Sequence, residues 1–559
     1  MPPIKPLALL PLLAFSLLAS CSMPPTQVGG TTEITIFSIN DFHGHVQSDH
    51  PVPYMEQEDD PAHPDQKISV PSGGFAYLAT MLKERRKQAS ANILVGAGDL
   101  IGASPAGSSM LKDEPVIEAL NQLGMEVSSV GNHEFDAGQQ ELERKIKGEC
   151  PGTGCKFPGF SGARFSYIAA NVLDKSTSQP WLKPYVIKKV GDVNVAFIGA
   201  VTKETPSIVS AVGIQNLQFI DEAQAINRYV PEIKRQNVAA IVVLIHEGAS
   251  YKGAANDPSY RCEGLQGSII DIANKLDPAI SLIVSAHTHQ AYTCKIGGKL
   301  VVSGRNYGSL LTEVKLKIDR TSNQVIAATA HNYAIDQRVL APDPDAQKLV
   351  DQVAALTDKI RLRPIATLTT LLSRKHSYPY SDSSLGNVIA DAQLSFARSS
   401  GAADISFMNS GGIRSDLQNL NVTFGDIYAT QPFGNGVVRM NLSGAQLVEL
   451  LKQQWEGRPA DSPKMMSVSQ GFSYRWRAEA PIADRLTDVR LNGQPIDAGK
   501  QYAVAVNSFM ADGGDGYTVL KAGTRCQLLG GDIDAMEAYM LANGAKLSDV
   551  DMQRVKRLE

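Results

Sequence analysis

Short runs rich in Val, Ile and Leu recur between residue 33 and about residue 335: Ile34–Ile39, Ile93–Val95, Val195–Ile198, Ala240–Ile245, Ile280–Val284 and Leu300–Val302. Segments of helical spacing separate them. Near-continuous apolar runs predict strands buried on both faces, so the predicted class is α/β or a layered variant of it. Residues 51–71 are rich in Pro, Asp and Glu and read as a surface loop. Ala341-Pro342-Asp343-Pro344-Asp345 punctuates the chain, a polar helix is predicted over about Ala346–Ile360, and Arg361-Leu362-Arg363-Pro364 follows. The stretch 341–364 reads as a linker between a first domain (33–340) and an α+β domain (365–559) with Gly-rich turns at Ser410-Gly411-Gly412 and Gly513-Gly514-Asp515-Gly516.

The first residues follow a different pattern. Lys5 is the only charge before an apolar run from Leu7 to Ala19, which Pro11 interrupts. The run is shorter than the roughly 18 residues of a spanning helix and reads as the core of a secretory signal. It ends in Leu18-Ala19-Ser20-Cys21 and resembles a bacterial lipoprotein signal. By that resemblance residues 1–20 are removed, Cys21 is acylated, and residues 21–32 form a tether. The absence of Asp after the cysteine, where Ser22 stands, implies the outer membrane, on its periplasmic face or at the cell surface. An ordinary signal peptide with a chance cysteine is the other reading.

Export frames the remaining cysteines, since oxidising compartments favour disulfides. Cys150 and Cys155 bracket a Pro-Gly-Thr-Gly turn, and Cys262 with Cys294 is the next plausible pair, leaving Cys526 odd. Sequence alone leaves the connectivity open. A zinc site is the rival reading, but no CxxC spacing supports it.

The 559 residues allow three to four units of roughly 150, or two large domains. With 43% hydrophobic and 20% charged residues the chain is globular rather than disordered. A net charge of -4 excludes a strongly basic polyanion binder. It leaves room for a small anionic substrate held by local Arg or metal ions, and no nucleic-acid polymer is expected as partner. No repeat of solenoid period is present, and a monomer is expected.

Several apolar runs end in residues that can bind metal. These are Asn40-Asp41-Phe42-His43-Gly44-His45, Gly98-Asp99, Gly131-Asn132-His133-Glu134-Phe135-Asp136, His246-Glu247-Gly248 and Ala286-His287-Thr288-His289. Open α/β sheets bind ligands outside the carboxyl ends of their strands, so the five clusters can converge. Carboxylate and imidazole suit zinc, manganese and related divalent metals. Continuing the strand alternation would put Asp41 and His43 on one side, toward one ion. Asp99 is the natural bridging carboxylate, and paired ions stabilise both attacking and leaving oxygens in phosphoryl displacement. Singly these signals are weak: a Gly-Asp after a strand is usually a turn, and His45, His50, His63, His331 and His376 read as structural.

As an ordered set, the clusters resemble the calcineurin-like metallophosphoesterases. Within these, the chain is similar to the bacterial 5′-nucleotidase/UDP-sugar hydrolase family from about residue 33 to 530. The resemblance implies a four-layer α/β/β/α first domain. It implies two divalent ions (zinc, manganese, magnesium or cobalt), one on Asp41, His43, Asp99 and His289, the other on Asp99, Asn132, His246 and His287. It departs where Ala286 replaces the usual Gly. It makes His133 a catalytic residue oriented by Asp136, with a water acidified by the ions as nucleophile; the alternative is an Asp136 that only caps a helix.

In the second domain, Asn409-Ser410-Gly411-Gly412-Ile413-Arg414 sets a Gly turn between an amide and a guanidinium, the latter suited to phosphate. Pro432-Phe433-Gly434-Asn435, Asn507-Ser508-Phe509 and Asp512-Gly513-Gly514-Asp515-Gly516 are, by composition, ordinary loops. The resemblance makes them a nucleotide site. It implies Phe433 and Phe509 about the base, Asp515 on the ribose hydroxyls, and Asn409, Gly411, Arg414 and Asn435 as further contacts. Ser384-Leu385-Gly386-Asn387 with Asp391 matches a structural motif. The candidates for the family's preceding arginines are Arg374 and Lys375, in uncertain register, and Arg374 is the one carried over as a substrate contact. The expected activity is extracytoplasmic hydrolysis of 5′-nucleotides to nucleoside and phosphate, serving salvage. The alternatives are a UDP-sugar or dinucleotide pyrophosphatase, a 2′,3′-cyclic nucleotide phosphodiesterase, and a nucleotide-binding lipoprotein without activity.

Overall fold

The computed structural model describes Met1 and residues 30–48, 54–59, 67–376, 382–458 and 463–558. Cys21, His50 and His63 lie outside them, as do the signal and nearly all of the tether.

Two six-stranded sheets build the first domain. The chain enters the first sheet with β1 (Thr31–Ile39), β2 (Asn92–Ala97), β3 (Met125–Ser129) and β4 (Ser166–Ile168), which run parallel. It crosses to the second with β5 (Tyr185–Val190), β6 (Val193–Val201), β7 (Ala240–His246), β8 (Ile280–Val284), β9 (Ala291–Ile296) and β10 (Lys299–Gly304). It returns to the first with β11 (Leu310–Asp319) and β12 (Gln324–Ala334), antiparallel to β1 and to each other. The orders are β12-β11-β1-β2-β3-β4 and β9-β10-β8-β7-β6-β5.

Each apolar run is buried on both sides because its alternate residues enter different layers. In β1, Ile34 and Ile36 meet Val195, Phe197, Val242 and Leu244 between the sheets, whereas Phe37 and Ile39 face helices. Those helices are α1 (Phe75–Arg86) and α2 (Glu114–Leu123). Across the domain, Ile241, Val243 and Ile245 of β7 pack on α3 (Glu222–Lys234) and α4 (Ser268–Lys275). The result is the expected α/β/β/α sandwich. Full burial of each such side chain contributes about 1.5–3 kcal/mol.

One reading needs correction and another gains detail. The segment 51–71 is not all loop: Tyr54–Asp59 pairs antiparallel with Lys67–Ser72 as a hairpin. A charged, Pro-containing composition reports exposure to solvent, whereas pairing satisfies backbone groups that any residue carries. The linker helix, α5 (Pro344–Arg361), packs on the first domain. Asp343 caps it by accepting from Ala346 N at 3.0 Å, and Ala346, Leu349 and Val353 join the core beside α1 and α2. Their spacing makes one apolar face that a polar average conceals.

The second domain holds a five-stranded mixed sheet and several helices, an α+β arrangement. Its strands are β13 (Ile405–Asn409), β14 (Gly436–Ser443), β15 (Met466–Val468), β16 (Gln501–Asn507) and β17 (Thr524–Gly531), ordered β15-β13-β16-β14-β17. Helix α6 (Ser384–Ser399) lies against it. A C-terminal strand, Val555–Leu558, joins a separate four-stranded sheet. The Asp391 motif anchors that terminus: its carboxylate takes both Nη atoms of the buried Arg554 at 2.8 Å, and Asn387 Nδ2 donates to Asp551 O at 3.0 Å. Cys150–Cys155 and Cys262–Cys294 form disulfides, and Cys526 is an exposed thiol, so the zinc reading of the cysteines fails.

Candidate metal and nucleotide site

Five polar clusters sit at the carboxyl ends of β1, β2, β3, β7 and β8. The loops after β1 and β2 leave neighbouring parallel strands and bond to each other: Asp41 N donates to Gly98 O, His43 N to Asp99 O and Gly44 N to Leu100 O, at 3.0–3.1 Å. The second sheet is tied in by His287 N, 3.1 and 3.2 Å from the Asp41 carboxylate oxygens, and by His246 Nδ1, which donates to Ala97 O at 2.9 Å.

Asp41 and His43 meet for a different reason than strand alternation. β1 ends at Ile39, and both residues have left-handed backbones, φ 49° and 45°. So do Asp99 (49°), His287 (74°) and His289 (56°). Positive φ is uncommon outside Gly, and its clustering marks backbone strain held by surrounding structure. Gly131 is required for a related reason: a Cβ there would stand 2.1 Å from Asp99 Oδ1.

The ligand atoms form two groups, Asp41–His43–His289 and Asp99–His246–His287, each within 4.8 Å. Asp99 Oδ2 lies 2.9 Å from His246 Nε2 and 3.6 Å from His43 Nε2, within reach of both. Tautomers are set from behind, as metal ligands require. Nδ1 of His43 donates to Gly102 O at 2.9 Å and Nδ1 of His246 to Ala97 O, so both present Nε2. Asn306 Nδ2 lies 2.9 Å from His289 Nδ1, and His289 Nε2 lies on the side of the site, 3.4 Å from Asp41 Oδ1.

These residues fit a pair of divalent ions. Asn132 Oδ1 is buried with no hydrogen-bond partner in the structure, as an oxygen reserved for a cation would be. Burial opposes charge on His246, but Asp99 and then Asp41 draw its pKa up to about 10. Burial and the charge on His246 push His287 down to about 3. Burial would raise the Asp99 carboxyl, yet His246 and His133 hold it well below its usual range.

His133 stands just outside this cluster. Its Nδ1 lies 2.9 and 3.0 Å from the Asp136 oxygens, leaving Nε2 to the site. Burial opposes its protonation, but Asp136 and Asp99 outweigh it and the pKa is raised.

The second domain approaches on this side. A cavity of about 250 Å³ is lined by Asn132, His133, Asp136 and His287 from the first domain and by Asn409, Gly411, Arg414, Phe433, Asn435, Phe509 and Asp515 from the second. Phe433 stacks on the His133 ring, centroids 5.7 Å apart at 21°. Arg414 lies over Phe433 at 5.9 Å. Asp515 Oδ2 accepts from Asn409 Nδ2 at 2.7 Å. Arg374 does not line this cavity. It lines a neighbouring cleft of about 800 Å³ with Arg305, Lys375 and Asp416, and Arg414 borders both spaces. His45 also lines the cleft, its ring stacked on Tyr307 at 3.9 Å.

Three residues of the site escaped sequence reasoning. Glu134 accepts from the backbone N–H groups of Asp99, Leu100 and Gly131 at 2.8, 2.9 and 2.5 Å and so sets the Asp99 loop; its place in the cluster was a signal. Asn306 and Lys464 lie in unremarkable segments and carried none.

Comparison with known proteins agrees with this geometry. The family profile "Calcineurin-like phosphoesterase" matches residues 34–291, and "5'-nucleotidase, C-terminal domain" matches residues 364–522. The chain is 34% identical over 479 residues to Endonuclease YhcR of Bacillus subtilis, covering 86% of this chain but only 37% of that protein. It is 31% identical over 547 residues to Cell wall protein Lmo0130 of Listeria monocytogenes, covering 91% of this chain and 67% of that one. A 5'-nucleotidase precursor from Thermus thermophilus has the same fold, with TM-score 0.75 at 23% identity, over 94% of this chain and 100% of the other. With both domain profiles in order along one chain and the metal-ligand clusters gathered at one point, the chain belongs to the 5′-nucleotidase family of calcineurin-like metallophosphoesterases.

Proposed function

We propose that the chain is a metal-dependent 5′-nucleotidase that releases nucleoside and phosphate outside the cytoplasm, for nucleotide salvage, from an outer-membrane tether at acylated Cys21. The shared cavity supports the activity: one small space is lined by His133 and Asn132 on one side and by Phe433, Phe509 and Asp515 on the other. A nucleotide with its phosphate toward the metal groups and its base toward the aromatics fits that polarity. When bound on Asp41, His43, Asp99, Asn132, His246, His287 and His289, two divalent ions supply Lewis acidity and an acidified water. Arg414 orients the phosphoryl oxygens. His133, aligned by Asp136, holds a proton at Nε2 and gives it to the departing 5′-oxygen of the nucleoside. Phe433 and Phe509 flank the base, and Asp515 accepts from the ribose.

A second reading has its own observation. The larger cleft beyond Arg414, lined by Arg305, Arg374 and Lys375, suits a substrate that continues past the scissile phosphate. That favours pyrophosphates, dinucleotides or phosphodiesters, and the Bacillus relative is named an endonuclease. Product release from AMP, ATP, UDP-glucose, a 2′,3′-cyclic nucleotide and a diester, by metal-depleted and metal-restored protein, separates the readings. AMP should be cleaved fastest, and only with metal. Faster cleavage of UDP-glucose or the diester would favour the second reading. No cleavage with any metal would leave a nucleotide-binding protein.

A further inference from the structure

The nucleoside cavity contains a second cation to which the proposed reaction gives no role. Lys464 lies just before β15, its N donating to Gln454 O at 3.0 Å and its carbonyl accepting from Tyr517 Oη at 2.5 Å. Its backbone is therefore fixed, and its side chain, about one third exposed (35%), lines the cavity. Its ammonium pairs with Asp515 Oδ1. Asp515 Oδ2 is held by Asn409 Nδ2, and its carbonyl accepts from the Arg458 guanidinium. These contacts hold a buried carboxylate on a left-handed backbone, φ 57°.

We propose that Lys464 is a specificity residue that reads the vicinal ribose hydroxyls together with Asp515. This rests on the reading of the cavity as a nucleoside site. A carboxylate only accepts, so Asp515 alone can accept a hydrogen bond from a hydroxyl but offers nothing to that hydroxyl's oxygen. An ammonium has three donors. One goes to Asp515, which positions the carboxylate, and two are left for the hydroxyl oxygens. The ion pair thus presents an acceptor and a donor side by side, the complement of a diol. A sugar without hydroxyls leaves both charged groups short of partners in a confined space, which weakens its binding.

The test is calorimetric binding of adenosine and 2′,3′-dideoxyadenosine to the full metal-restored chain, to Lys464→Met and to Lys464→Arg. Wild-type protein should prefer adenosine roughly 10- to 100-fold, the scale of hydrogen bonds to charged groups. Lys464→Met should erase most of that preference while changing dideoxyadenosine affinity by less than about threefold. Lys464→Arg should retain it. Equal weakening of both nucleosides by Lys464→Met overturns the proposal, because a residue that only supports the loop would act on both. A wild-type protein that binds both alike, or a Lys464→Met variant with its preference intact, also overturns it. AMP hydrolysis measured alongside keeps the two readings apart: a diol preference without phosphate release would sink the nucleotidase and leave the role of Lys464 standing.

Discussion

Asp99 sits where both ligand groups can reach it, 2.9 Å from His246 and 3.6 Å from His43. Asp99→Ala should therefore lower metal occupancy, measured by elemental analysis, and cut activity by orders of magnitude; full activity in a metal-free variant would end the two-metal assignment. His133 lies off the ligand groups, so His133→Ala should keep both ions while kcat falls about 10²–10⁴-fold. An unchanged kcat would make it structural. For the base, Phe509 is the cleaner probe, since Phe433 also stacks on His133. Phe509→Ala should lower kcat/KM for AMP by roughly 5- to 150-fold, the worth of one base–aromatic stack, and affect a phosphate ester without a ring far less. Residue types with chemistry of their own were legible in the sequence. Asn306 and Lys464 were not, because only folding brings them to His289 and Asp515; Glu134 stood visibly in its cluster, but its grip on the Asp99 loop did not.

Among the elements, the apolar runs predicted the buried strands because burial on two faces leaves a continuous hydrophobic signature. The hairpin of Tyr54–Asp59 with Lys67–Ser72 was illegible, since backbone pairing leaves no side-chain mark. The left-handed turns at Asp41, His43, Asp99, His287 and His289 were equally silent. Asp and His adopt that conformation more readily than most residues, and at Asp41, His43 and Asp99 the 41–44 and 98–100 loops also hold one another through backbone bonds. The C-terminal strand offers a test of element stability. Arg554 is buried with both Nη atoms on Asp391. Arg554→Ala would strand that carboxylate in a poorly solvated site and should cost about 3–5 kcal/mol, read from denaturant unfolding. A loss under about 1 kcal/mol would mean that the strand docks without its clamp.

At the scale of the molecule, the candidate ligands all lie between Asp41 and His289 and the base-contact candidates between Asn409 and Asp515, yet the fold joins them in one cavity. The two units touch through Ser109 Oγ and Tyr428 Oη at 2.6 Å and through the His133–Phe433 stack. On the proposed reading a nucleotide bridges the two units, and separation and closure of the units would serve its entry and the product's exit. A disulfide engineered to hold them apart should abolish AMP hydrolysis, and reduction should restore it. Normal hydrolysis by the locked-apart protein would show that the substrate does not bridge the domains.

The sequence by itself determined the layers and the cast of chemical groups. Hydrophobic period decides which faces are buried, and carboxylate and imidazole keep their affinity for cations in any fold. Only the tertiary structure decided which groups meet. Asp41 and His287 are far apart along the chain but within 3.2 Å in space, because the loops of two different sheets close over one point. The same holds for the packing of α5 on the first domain, the place of Arg374 in the larger cleft, and the grip of Lys464 on Asp515. Such contacts depend on distance across the fold, which local pattern does not encode.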